Sequence, residues 1–211
     1  MIRIGHFSDL HGDFDRIAGI PDVWVNTGDF FPNMTRGDVS VEVLFQTAWF
    51  NHHADAILAR LAGKPLIWVA GNHDFVNLVP MLRARGVEAW DATEAPVDFM
   101  GERFAGLREI PWIEGEWAGE AHDMAPAVER AFDADPTILV THCPPSGILD
   151  NDGGAGHGFG SSPMTTALTW RPHRIHTHLF GHIHAMGGKD VEQMDIRFFN
   201  GANGCRIISV G

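Results

Sequence analysis

The 211-residue sequence predicts an α/β protein whose chemistry gathers at strand ends. Three observations point there. Five short, continuously apolar runs recur at 2–8, 23–28, 65–70, 137–142 and 175–181. Runs of that length read as strands buried on both faces, as in sheets covered by helices. Segments of helical spacing fall between several of them. Each run also leads into residues of metal-ligating type, at the position where ligands collect in open α/β sheets.

The elements follow in order. IRIGHFS (2–8) and VWVNTG (23–28) are β-rich and end in polar residues or glycine. Over 40–62, Val43, Phe50, Ala54, Ile57 and Leu61 recur at helical spacing, with Ser40 as N-cap and Gly63 as the stop. PLIWVA (65–70) repeats the strand form, and a shorter helix is predicted over 77–85. The stretch 86–113 alternates apolar runs with turns and reads as a few antiparallel strands. A helix over 120–133 contains Pro126, which delays its start. TILVTH (137–142) and IHTHLFG (175–181) complete the strand set, and 195–210 reads as a terminal hairpin turning through Gly201–Gly204. With neither repeat nor linker, 1–211 is expected to form one domain. Segment 146–163 is the one long flexible stretch. Its place between two chemistry-bearing segments makes it a candidate substrate loop, with a solvated connector as the plainer alternative.

Composition removes whole classes. A 45% hydrophobic, 20% charged chain is not disordered by default, and its 24 glycines and 12 prolines are spread without collagen-like or low-complexity bias. No apolar run nears the roughly 18 residues of a membrane span, so no membrane partner is expected. The opening MIRIGHFSDLHGD interrupts any signal-peptide core, which predicts a cytoplasmic protein. A formal charge of −12 lacks the basic field of a nonspecific nucleic-acid binder, so no stable nucleic-acid partner is expected. Divalent ions would reverse the local sign, so a phosphate-binding cleft is not excluded. Cys143 and Cys205 make no disulfide framework and no CxxC. The excess residue is histidine, at 13.

Where the histidines fall carries the functional reading. Asp9-x-His11 pairs a carboxylate with an imidazole, which suits Mn, Fe, Zn or Ni, although such triplets are common in solvated loops. Gly28-Asp29 is an ordinary turn dipeptide. Gly71-Asn72-His73-Asp74 sets a neutral oxygen ligand beside an acid–base histidine, or forms an Asx-turn with a surface histidine. His142 closes the fourth run, and His182-x-His184 follows the fifth as a frequent metal pair that structure alone could also satisfy. Each signal has an innocent reading alone. Five in this order, each after a strand, do not.

The series D-x-H, G-D, G-N-H-(D/E), lone His and G-H-x-H resembles the calcineurin-like metallophosphoesterase superfamily, with its blocks spanning 9–184. The resemblance implies a four-layer α/β/β/α sandwich, with two mixed sheets and a dinuclear metal site at the strand C-terminal ends. It assigns Asp9, His11, Asp29 and His184 to one divalent ion and Asn72, His142 and His182 to a second, with Asp29 bridging. Mn is the first choice of metal, Fe, Zn and Ni the alternatives. On the same resemblance a metal-bridging hydroxide attacks phosphorus in line, while His73 stabilises transition-state charge or protonates the leaving oxygen. Cys143, beside Pro144, reads as packing rather than as a nucleophile.

Departures narrow the class. Protein-phosphatase relatives carry G-D-x-V-D-R-G, whereas Gly28-Asp29-Phe30-Phe31-Pro32-Asn33 lacks both the second Asp and the Arg. A phosphoprotein phosphatase is therefore disfavoured, and the group that orients His73 stays open. The blocks Thr141–Asp150, His178–His184 and Phe199–Ala202 are similar to small single-domain phosphodiesterases, some of which act on cyclic nucleotides. The expected substrate is thus a phosphodiester, with a nucleotide among the candidates. The alternatives are a phosphomonoesterase, a nuclease on short single strands and, outside enzymes, an idle metal-binding scaffold. Asp150, His157 and Asn200 are candidate substrate residues. His176 and His178 read as structural, and Trp24, Trp68 and Phe180 as core. Phe30 and Phe31 either line the cleft or anchor the core, and Trp112 and Trp117 either cap the cleft or mediate dimerisation. The oligomeric state is not legible.

Overall fold

A computed structural model describes residues 1–153 and 158–211. The first part alternates β1 (Ile2–Ser8), β2 (Val23–Asn26), α1 (Val39–Leu61), β3 (Leu66–Trp68), α2 (Leu78–Arg83) and β4 (Ala89–Asp91). There follow β5 (Val97–Phe99), β6 (Glu102–Leu107), the two-residue strands β7 (Ile110–Pro111) and β8 (Glu120–Ala121), α3 (Ala125–Asp133) and β9 (Ile138–Thr141). The last elements are α4 (Ser162–Trp170), β10 (Thr177–Phe180), β11 (Asp190–Gln193), β12 (Ile196–Asn200) and β13 (Gly204–Val210).

Two mixed sheets result. One runs β13-β1-β2-β3-β4 and the other β11-β12-β10-β9-β6-β5. Inner neighbours are parallel, and antiparallel pairing is confined to β13, β11 and β5. Period-two alternation sorts the side chains into three apolar layers. Phe7, Trp24, Leu66 and Trp68 face α1 and α2 with Phe50 and Ile57. Ile4, Val25, Ile67, Val140, Leu179 and Phe199 fill the space between the sheets. Leu139, Phe180 and Phe198 face α3 and α4 with Val128 and Leu168. Three cores between four layers are the expected α/β/β/α sandwich.

Local expectations fare unevenly. Phe50, Ala54, Ile57 and Leu61 of α1 are buried as their spacing predicts, and Ala62 closes the helix in a left-handed conformation just before Gly63. The N-cap, however, is Asp38, whose carboxylate accepts from the amides of Ser40 and Val41, and Ser40 lies inside the helix. Val43 is exposed, and the polar Glu42 and Gln46 take the buried positions. Pro126 does delay α3, which begins at Ala125. Within 86–113, β5 and β6 form an antiparallel pair, while β4 and β6 also add parallel strands to the two sheets. Segment 146–163 leads into α4, capped by Ser161.

The terminal hairpin is corrected. β12 and β13 belong to different sheets, and the chain crosses between them at Gly201–Asn203. The hairpin at this end is β11 with β12, joined by Met194 and Asp195, both at positive φ.

Candidate metal centre

The motif loops meet where β1, β2, β3, β9 and β10 end. Loop β1 is tied to loop β2 by the amides of Asp9, His11 and Gly12, which donate to the carbonyls of Gly28, Asp29 and Phe30, each at 2.9 Å. Asp74 ties loop β2 to loop β3: its buried carboxylate accepts from the amides of Asp29, Phe30, Phe31 and Gly71 at 2.8–3.1 Å. Gly28 sits at φ +103, and a Cβ there would come within 2.5 Å of His142 Nδ1. Only glycine lets the loops approach so closely. Asp9, His11, Asp29 and His182 all adopt left-handed φ between 45° and 66°. For non-glycine residues this costs about 1 kcal/mol or more each, and such strain clusters at functional sites.

The donors fall into two groups. In the first, His184 Nε2 lies 3.1 Å from Asp9 Oδ1 and 3.5 Å from His11 Nε2. In the second, His142 Nε2 lies 2.9 Å from Asn72 Oδ1 and 3.4 Å from Asp29 Oδ2, with the His182 ring centroid 4.9 Å from that of His142. Asp29 Oδ2 is also 3.9 Å from His11 Nε2, so this carboxylate stands between the groups. Two trios, Asp9/His11/His184 and Asp9/Asp29/His142, each keep their ligand atoms within 4.8 Å of one another.

The donor chemistry fits cations. His142 Nδ1 is 2.7 Å from the Thr27 carbonyl and donates to it, which leaves the Nε2 lone pair facing the Asn72 and Asp29 oxygens. Three acceptors converge with only a proton or a metal ion to reconcile them. Burial alone would lower His142, yet the charges of Asp29 and Asp9 raise it to about 9. Burial opposes ionisation of Asp9 and Asp29, but the surrounding histidines hold both carboxyls below their usual range. His182, pushed down to about 4 by burial and by His142, keeps a free lone pair.

His73 stands beside this cluster. Its amide donates to Asp29 Oδ1 (2.8 Å), and its Nε2 is 4.0 Å from Asp29 Oδ2. Its Nδ1 lies 2.6 Å from Asn33 Oδ1, while Asn33 Nδ2 donates to the His73 carbonyl at 3.1 Å. Asn33 is thus the group that orients His73. Burial lowers the His73 pKa against the opposing pull of Asp29. Asn33 escaped the sequence reading because a polar residue after Pro32 looks like a turn. Its one clue is its place four residues beyond Asp29, near the missing second Asp.

The remaining candidates lie elsewhere. Asn200 is fully buried, and its side-chain amide donates to the carbonyls of Gly181 and Ile183, bracing the turn that carries His182. Asp150 accepts from the Gly147 amide and shapes its own loop. His157 lies outside the described residues. Cys143 is buried, its thiol pushed up to about 12 by burial. His178 is buried and bonds Thr141. Phe30 and Phe31 belong to the core. Trp112 stacks on His122, whereas the Trp117 ring packs at a tilt against His73, centroids 4.2 Å apart, and lines a cleft of about 430 Å³ over Asp29, Asn72, His182 and His184.

Known proteins place the fold. Residues 2–186 match the model of the family described as calcineurin-like phosphoesterase. No curated protein matches the sequence. Among solved structures, the phosphopantetheinyl hydrolase of Mycobacterium tuberculosis is similar at TM-score 0.51 and 14% identity, over 95% of this chain and 89% of that one. A candidate 5′-nucleotidase of Staphylococcus aureus, in complex with α-ketoglutarate, gives TM-score 0.53 and 14% identity over 100% of this chain. The chain spans about half of that protein, 51%. At such identities the likeness is one of fold.

Proposed function

The chain belongs to the calcineurin-like phosphoesterase family, and from that premise we propose that it hydrolyses phosphodiesters with two divalent ions, Mn first among them. The observation that supports this most is Asp29 standing between two groups of metal-ligating atoms, within 3.9 Å of His11 and 3.4 Å of His142. Asp9, His11 and His184 would hold one ion, Asn72, His142 and His182 the other, and Asp29 both. Bound there, such ions supply a water nucleophile at neutral pH and charge neutralisation for the phosphoryl oxygens. Asn33 holds a proton on Nδ1 of His73 and turns Nε2 toward the ligand cluster. From the imidazolium form, in which both ring nitrogens carry hydrogen, Nε2–H can pass its proton to a leaving oxygen, which returns the ring to the neutral Nδ1–H form. Cys143 does not compete as a nucleophile: it is buried, and burial pushes its thiol up to about 12.

Charge favours a diester over a monoester. Among the described residues lining the cleft, the one Lys or Arg is Arg36, and its guanidinium is bound to Glu114 (2.6 Å) and Glu116 (3.1 Å). A monoester dianion thus finds no unpaired Lys or Arg beyond the ions, whereas a diester carries one charge fewer. An idle scaffold is disfavoured because all seven donors and an oriented His73 are present together.

The test is hydrolysis of bis-p-nitrophenyl phosphate beside p-nitrophenyl phosphate, on chelator-stripped protein with and without Mn, with Asp29→Asn in parallel. Metal-dependent preference for the diester, lost in the variant, is expected. Preference for the monoester would replace the reading with a phosphomonoesterase, and no turnover with any divalent metal would overturn it.

A further inference from the structure

We propose that the cleft recognises the leaving half of the ester as a flat, uncharged ring laid against Trp117. This rests on the phosphoesterase reading and adds to it the class of leaving group. The Trp117 and His73 rings are 4.2 Å apart and tilted by 41°. Whatever oxygen His73 protonates therefore lies at the Trp117 end of the cleft, and the organic group attached to that oxygen lies along the indole.

The indole is held in place before any ligand arrives. Its Nε1 donates to Glu114 Oε1 at 2.9 Å, and its backbone amide donates to Glu120 Oε1 at 3.2 Å. The other oxygen of Glu120 accepts from the amides of Ile113, Glu114 and Gly115, so one carboxylate gathers the whole 113–117 loop. A platform fixed this way loses little entropy on binding. Ile113 and Phe159 line the same cleft with 44% and 38% of their surface exposed. Large apolar side chains left open beside a polar metal centre mark a surface meant for a ligand.

Charge sets the second half of the preference. Glu114 lines the cleft with Arg36 and binds it, and Glu116 binds Arg36 from the adjoining surface. Arg36 is already matched by its two glutamates, so a carboxylate or second phosphate on the organic half would meet like charge. A cleft of about 430 Å³ has room for one phosphoryl group and a ring system.

Isothermal titration of Mn-loaded protein with three probes tests this: methylphosphonate, phenylphosphonate and 4-carboxyphenylphosphonate. Phenylphosphonate is expected to bind roughly tenfold tighter than methylphosphonate, the scale of one good aromatic contact. The added carboxylate should remove most of that gain, and Glu116→Gln should restore part of it. Trp117→Ala should erase the phenyl advantage with metal content unchanged, and Trp117→Phe should keep most of it. Adenosine 5′-monophosphate, run alongside, tells a nucleobase from a simple aryl ring: tighter, Trp117-dependent binding identifies the former and weaker binding the latter. Equal binding of methyl and phenyl probes, or a phenyl advantage that survives Trp117→Ala, would overturn the ring site and leave the phosphoesterase reading standing. No binding of any phosphonate would overturn both.

Discussion

His73 owes its orientation to a neutral amide. Asn33 Nδ2 is engaged by the His73 carbonyl, so its Oδ1 must face the imidazole, and the tautomer with hydrogen on Nδ1 follows. Removing that contact leaves the ring free to rotate without touching a metal ligand. Asn33→Ala should therefore lower kcat on the order of 100-fold, the scale of a misplaced acid–base group, while metal content and KM change little. Asn33→Asp, which keeps an acceptor at the same place, should recover most of the loss. Unchanged kcat in Asn33→Ala would show that the contact does not serve catalysis. The seven candidate ligands were legible because each stands in a motif at a strand end. Asn33 was not, because its partner is 40 residues away and only folding makes them neighbours. The same holds for Asp74, a turn residue by sequence and in fact a four-donor clamp.

One polar side chain joins helix α1 to the loop that bears His73. Gln46 is fully buried; its Nε2 donates to the His73 carbonyl at 2.7 Å, and its Oε1 accepts from the Phe75 amide at 2.8 Å. Gln46→Leu keeps a similar volume but leaves that buried N–H without a partner, at a cost of about 2 kcal/mol. A lowered urea midpoint with a several-fold fall in kcat is the expected result, and an unchanged midpoint would contradict it. Periodicity showed that α1 buries a stripe, but not that the stripe continues through Glu42 and Gln46, because polar residues read as solvent-facing. Strand positions were legible since continuous apolar runs have few alternatives. The partner of β13 was not. Glycines at 201 and 204 fit a hairpin equally well, whereas Gly201 is required for packing: a Cβ there would lie 2.6 Å from the His6 ring. A local signal cannot distinguish a turn within one sheet from a crossing between two.

Across the whole molecule, the converging acceptors come from five separate strand ends and a bound cation would join them, so metal should couple to global stability. At a hundredfold excess over Kd a bound ion adds about 2.7 kcal/mol. For a chain of this size that raises Tm by roughly 5–10 °C, and a Tm indifferent to chelator would argue against a tight site. Acid stability has a different source. His6 and His178 are fully buried, and burial foremost pushes both down to about 3. Each is therefore neutral when folded but binds a proton near pH 6.5 when unfolded. As pH falls from 6.5 toward 3 the unfolded chain gains protons that the folded chain refuses, and each histidine removes about 1.4 kcal/mol per pH unit. The carboxylates Asp9 and Asp29, held below their usual range, contribute only at lower pH. His178→Gln can still donate to the Thr141 hydroxyl, which passes its own hydrogen to the Cys143 carbonyl, without the ability to titrate. In chelator, the wild-type loss of stability between pH 7 and pH 5 should shrink in this variant by about 2 kcal/mol, read from urea midpoints. An identical loss in both proteins would mean that His178 is protonated in the folded state and that its burial does not set the acid limit.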